Sequence, residues 1–76
     1  MNAQRRKEIT EVIGKLGDLA AEVRGLGEEE REYYDNMPES IQSGEKGERA
    51  DDVAQMLEEA ADSLDEVLGQ LEEAAE

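Results

Sequence analysis

Apolar residues recur at alternating three- and four-residue intervals along both flanks of the chain. In the first flank the series runs Ile9, Val12, Leu16, Leu19, Val23, Leu26, Glu30, Tyr33, Met37. In the second it runs Ala50, Val53, Leu57, Ala60, Leu64, Val67, Leu71, Ala74. This is the a/d spacing of a coiled coil, and it predicts two amphipathic helices. Between them stands Pro38, which lacks an amide hydrogen and disfavours helical geometry at Met37. The pattern predicts an all-α fold, an antiparallel two-helix hairpin of coiled-coil type. A single domain spans residues 1–76, with a helix over about 2–36, a turn over about 37–43 and a helix over about 44–75.

The ends of both helices carry local signals. Asn2 can accept from a free backbone N–H and cap the first helix. Ser43 can do the same for the second, with Glu45 in its first turn, where a carboxylate suits the helix dipole. Gly14, Gly17, Gly25 and Gly27 interrupt the first helix, each costing about 1 kcal/mol against alanine. The heptad phase passes through them unbroken, which predicts one continuous, weakened helix. Gly14, Gly17 and Ala21, with Thr10, form a small-residue stripe, readable as a second contact face or as plain surface.

Folding the flanks together sets Val12 against Leu71, Leu19 against Leu64, Leu26 against Leu57 and Tyr33 against Ala50. The same register brings Arg5, Arg6 and Lys7 beside Glu72, Glu73 and Glu76. Glu30 takes an a position, so Arg31 or Arg49 is expected to pair with it. Each stripe is widened by a neighbouring column: Ile13, Ala20, Gly27 and Tyr34 in the first helix, Ala54, Ala61, Leu68 and Ala75 in the second. A lone hairpin leaves this edge wet, so self-association into a helical bundle, as a homodimer or higher oligomer, is expected.

Composition narrows the chemistry. With 76 residues, a chain buries only about 60% of its unfolded surface. Cysteine is absent, so no disulfide or thiolate metal site supplements the core, and histidine, tryptophan and phenylalanine are absent too. The formal net charge of −14 repels phosphates and anionic lipid, which argues against direct nucleic-acid or membrane binding and favours partners with basic surfaces. No apolar run is long enough to span a bilayer, and Met1 to Lys7 lacks the apolar core of a secretory signal. A cytosolic location is the expectation. No nucleophile–base pair, phosphate loop or zinc motif is present, so an enzyme, a metal site or a cofactor is not expected. The acids of the second helix could hold a hard cation only loosely. Carboxylates three or four residues apart, about 5–6 Å, could also imitate the phosphates of DNA along Asp51 to Glu66.

The richest chemistry gathers at the turn. Tyr33 and Tyr34 offer rings for stacking. Arg31, Arg49, Asn36, Ser40 and Gln42 offer hydrogen bonds, and Met37 offers a soft apolar contact. These eight residues are the candidate ligand- or partner-binding set. The alternative reading is a capped hairpin end, with Tyr33 and Met37 plugging the core.

The stretch Glu32-Tyr33-Tyr34-Asp35-Asn36-Met37-Pro38-Glu39-Ser40-Ile41-Gln42-Ser43-Gly44-Glu45-Lys46-Gly47-Glu48 resembles a signature of small phage and prophage proteins. In these, an aromatic-Asp-Asn-Met/Leu-Pro-Glu-Ser-Leu/Ile-Gln turn joins two Ala/Glu-rich helices. The resemblance implies a phage setting, the cytosol of a bacterial host and a role against host defence. Three expectations follow from it: a self-associating inhibitor of a host protein, an oligomeric sponge for a cyclic nucleotide or other small signal, and an acidic DNA mimic. It assigns no role to any individual residue.

Overall fold

In the computed structural model, which describes residues 2–76, three helices follow one another: α1 (Ala3–Asp35), α2 (Glu39–Gln42) and α3 (Glu45–Ala75). The long helices α1 and α3 lie antiparallel and pack along their length, forming a rod with extents of 59 × 14 × 13 Å. The single turn α2 bridges them at one end.

The Asn2 side chain accepts from the Arg5 amide at 2.7 Å and starts α1. The helix then runs unbroken through Gly14, Gly17, Gly25 and Gly27. It closes where Asn36 N–H donates to the Glu32 carbonyl and Met37 N–H to the Tyr34 carbonyl. The Pro38 carbonyl accepts from both Ile41 and Gln42, which opens α2. Ser43 does not cap α3. Its backbone is helical, at φ −83° and ψ −4°, whereas an N-cap must be extended. Its hydroxyl donates back to the Glu39 carbonyl at 3.2 Å and finishes α2. Gly44, with extended backbone, takes the N-cap position without a side-chain bond. Glu45 and Glu48 then sit in the first turn of α3, near its positive end.

The seam between α1 and α3 is rotated from the one that hydropathy predicts. The fully enclosed residues are Ala20 and Gly27 in α1 and Gly47, Ala50, Ala54 and Ala61 in α3. Ala54 and Ala61 are 0% exposed. Leu19 and Leu26, expected in the core, are 54% and 53% exposed, and Val12, Tyr33 and Val67 lie open as well. The two columns have exchanged roles: the presumed wet edge is the seam, and half of the presumed seam is wet. The reason is size. With alanine and glycine facing each other, the helix backbones approach closely. A Cβ built on Gly27 would come within 3.3 Å of the Leu57 Cβ. The axial register is therefore near the expected one, because Gly27 occupies the place given to Leu26 opposite Leu57. Half-buried Ile9, Ile13, Leu16, Val23, Leu64, Leu68 and Leu71 flank this small-residue line. No large side chain is fully buried among the described residues.

Candidate interaction surfaces

The turn end is an interlocked cluster. Arg31, half-buried on α1, donates from Nη1 to Asp51 Oδ1 at 2.7 Å, and its Nε lies 3.6 Å from Glu58 Oε1. Its guanidinium also sits 5.6 Å from the centre of the Tyr34 ring, within cation–π range. The hydrogen bond to Asp51 holds the Arg31 pKa above its ordinary value, with the charges of Asp51 and Glu58 adding to it and partial desolvation opposing it. The expected pairing of Glu30 with Arg31 or Arg49 is not formed. Arg31 reaches across the hairpin instead, to acids one residue past the α3 seam.

Gln42 ties α2 to the end of α1, donating from Nε2 to the Tyr34 carbonyl at 2.9 Å. Its own main chain lies directly over Gly47. Met37 is half-buried. Tyr33 does not plug the core. It is exposed, with Lys46 Nζ 5.9 Å from its ring centre. Asn36, Ser40 and Arg49 are exposed, and Arg49 makes no ion pair among the described residues. The candidate set thus divides: Arg31, Tyr34, Met37 and Gln42 build the end of the hairpin, while Tyr33, Asn36, Ser40 and Arg49 face outward. Lys46, placed over Tyr33, joins the outward group.

One lateral face of the rod is an ion-pair ladder. Arg24 donates to both Asp62 and Asp65 at 2.9 Å, and these bonds, Asp62 first, raise its pKa. Arg31 with Asp51 and Glu58 continues the ladder toward the turn. No ion pair joins Arg5, Arg6 or Lys7 to Glu72, Glu73 or Glu76, contrary to the expected neutralisation. At the open end Ile9, Ile13, Leu68 and Leu71 are half-buried. Sequence reasoning missed Arg24 altogether. Its signal is positional, because Arg24 and Arg31 are seven apart and each follows a seam residue, as do Asp51, Glu58 and Asp65.

The opposite lateral face is apolar. The exposed columns of α1 and α3 each precede the buried columns by one residue, a turn of about 100° around the helix. Because the helices run antiparallel, that rotation carries both columns to the same side of the rod. There Leu16, Leu19, Val23, Leu26 and Leu64 line a shallow groove, with Glu22 and Glu29 at its α1 margin. The α3 half of this face carries Arg49, Val53, Met56, Ala60, Ser63, Val67, Gln70 and Ala74, with no acid. The carboxylates of α3 all lie on its ladder side or outward. Asp51, Glu58, Asp62 and Asp65 are engaged by arginine, and Asp52, Glu59, Glu66 and Glu73 recur every seventh residue, about 10.5 Å apart.

Among the described residues no cluster of acids is arranged to hold a metal ion, and no helix is long and apolar enough to cross a membrane. Comparison with protein-family models, curated proteins and solved structures finds no match for the chain.

Proposed function

We propose that this chain is a non-enzymatic, self-associating binding protein of the phage type its turn resembles, one that inhibits a host protein. The observation that carries the reading is the open apolar face on a hairpin whose seam is alanine and glycine. Such a rod leaves Val12, Leu19, Leu26, Met56 and Val67 largely in water, and the chain gains by covering them. The area agrees. The chain exposes 5533 Å², against about 4,600 Å² for a compact protein of this mass. The excess is on the order of 900 Å², close to the roughly 800 Å² that each partner buries in a standard interface. At the tip of the turn, Asn36, Ser40 and Lys46 are exposed and remain for a partner after the face is covered.

The test is mass as a function of concentration, by sedimentation and by native mass spectrometry of protein taken gently from a bacterial host. Self-association predicts an integral multiple of the chain mass, and Leu26→Glu should return it to the single chain. A single chain at every concentration would overturn the reading. A multiple with no added mass, whose binding to a host protein is lost on Lys46→Glu while the multiple is kept, supports the inhibitor. Added mass of one small nucleotide per site would replace the inhibitor with a sponge.

A further inference from the structure

We infer that the apolar face is covered by a second copy of this chain in one orientation, with both turns at the same end of a four-helix bundle. This rests on the self-association proposed above and adds its geometry. Two face-to-face arrangements of identical hairpins have two-fold symmetry. In one, the two-fold axis runs along the rod. The turns then coincide, and α1 of each copy lies on α3 of the other. In the second, the axis crosses the rod, the turns point apart, and α1 lies on α1 while α3 lies on α3.

Side-chain size separates them. The apolar face is asymmetric, with large residues on α1 and smaller ones on α3. The same-end arrangement keeps the axial register of the hairpin itself, in which Gly27 is level with Leu57. Within two residues of that register, Leu19 lies nearest the partner copy's Val67, Leu26 nearest its Ala60, and Tyr33 nearest its Val53. Each large residue meets a small one, and the gap between the helices is even along the face, as close packing requires. The opposite-end arrangement sets Leu19 against Leu26 across α1 and Ala60 against Val67 across α3. One pair of helices is then propped apart while the other pair faces a void.

Charge selects the same way. The outer margin of the face on α1 carries Lys15, Glu22 and Glu29, whereas the outer margin on α3 carries Arg49, Met56, Ser63 and Gln70 and no acid. The same-end arrangement brings the α1 acids against the acid-free margin. The opposite-end arrangement brings Glu22 against its own symmetry mate, in a protein that already carries a net charge of −14. The consequence for the site is that both turns, each with exposed Asn36, Ser40 and Lys46, lie at one pole, a paired surface that a two-fold-symmetric partner can engage twice.

The experiment is a distance between spin labels. The chain has no cysteine, so Ser40→Cys labels the turn and Gln4→Cys labels the open end, both at exposed positions. Helix axes in a bundle are about 8–10 Å apart. Same-end packing therefore predicts a Ser40-to-Ser40 distance within about 30 Å, and a long distance when Ser40-labelled and Gln4-labelled chains are mixed. The opposite-end arrangement predicts the reverse, a Ser40-to-Ser40 distance approaching the 59 Å length of the rod with a short mixed distance, and that result would overturn the inference while leaving self-association intact. Absence of any coupling between labels, with the mass of a single chain, would overturn both.

Discussion

Gly47 lies so close beneath the main chain of Gln42 that a Cβ on it would overlap the Gln42 carbonyl group. Its φ is not positive, so the requirement is space and not backbone conformation. The contact joins α2 to the first turn of α3 and sets the angle at which the chain turns back.

Gly47→Ala is therefore expected to destabilise the hairpin. Alanine would return about 1 kcal/mol of helix propensity, but the overlap is with backbone, which cannot swing aside. A net loss of about 2 kcal/mol or more is expected, in the upper range for overpacking. Gly14→Ala and Gly69→Ala meet nothing within 4 Å and should each stabilise by about 0.4–1 kcal/mol. Urea unfolding followed by circular dichroism measures all three. A Gly47→Ala protein as stable as the parent would show that α2 does not seat on α3.

The rotated seam predicts opposite outcomes at adjacent positions. Ala20 is enclosed and Ala21 is exposed. Ala20→Leu should force the helices apart and cost about 1–3 kcal/mol. Ala21→Leu should stay within about 0.5 kcal/mol of the parent, as surface changes do. Equal effects at the two positions would return the seam to the column containing Leu19.

Replacing Arg24 and Arg31 together by glutamine should lower the melting temperature at low salt. Asp51, Glu58, Asp62 and Asp65 would then repel one another without a cation between them. Salt near 1 M shortens the screening length to about 3 Å, so the gap between variant and parent should narrow as salt rises. A gap that stays constant with salt would mean that the arginines act through their stems and the Tyr34 ring, not through charge.

Protection of backbone amides should be graded along the rod. Every fully buried residue lies between Ala20 and Ala61, in the part of the hairpin nearer the turn. The open end, Ile9 to Leu16 with Leu64 to Leu71, is only half-covered. Hydrogen exchange is expected to be slowest around Gly27, Ala50 and Ala54 and fastest at both chain ends. Uniform protection would mean that the hairpin opens as one unit.

The hairpin was legible because a repeat of three and four residues flanking a proline leaves few other folds. The column that forms the seam was not. Every residue of one column is followed by an apolar or small residue of the other, as in Leu19–Ala20, Leu26–Gly27, Val53–Ala54 and Ala60–Ala61. Hydropathy favours the larger member of each pair, while close approach of two backbones selects the smaller. At the turn, the chemistry of Arg31 and Tyr34 was visible, but their partners were not. Asp51 and Glu58 are 20 and 27 positions away, and only the rotated seam brings them within reach. The role given to Ser43 failed for a local reason, because α2 forms a turn of helix where a bare loop was expected.

An antiparallel pair leaves the first residue of α1 and the last of α3 side by side, with the turn at the far tip of a 59 Å rod. A tag, tether or reporter fused at either terminus therefore emerges at the same place, remote from Tyr33 and Arg49. Attached to a surface by either end, the protein stands upright and presents its turn outward.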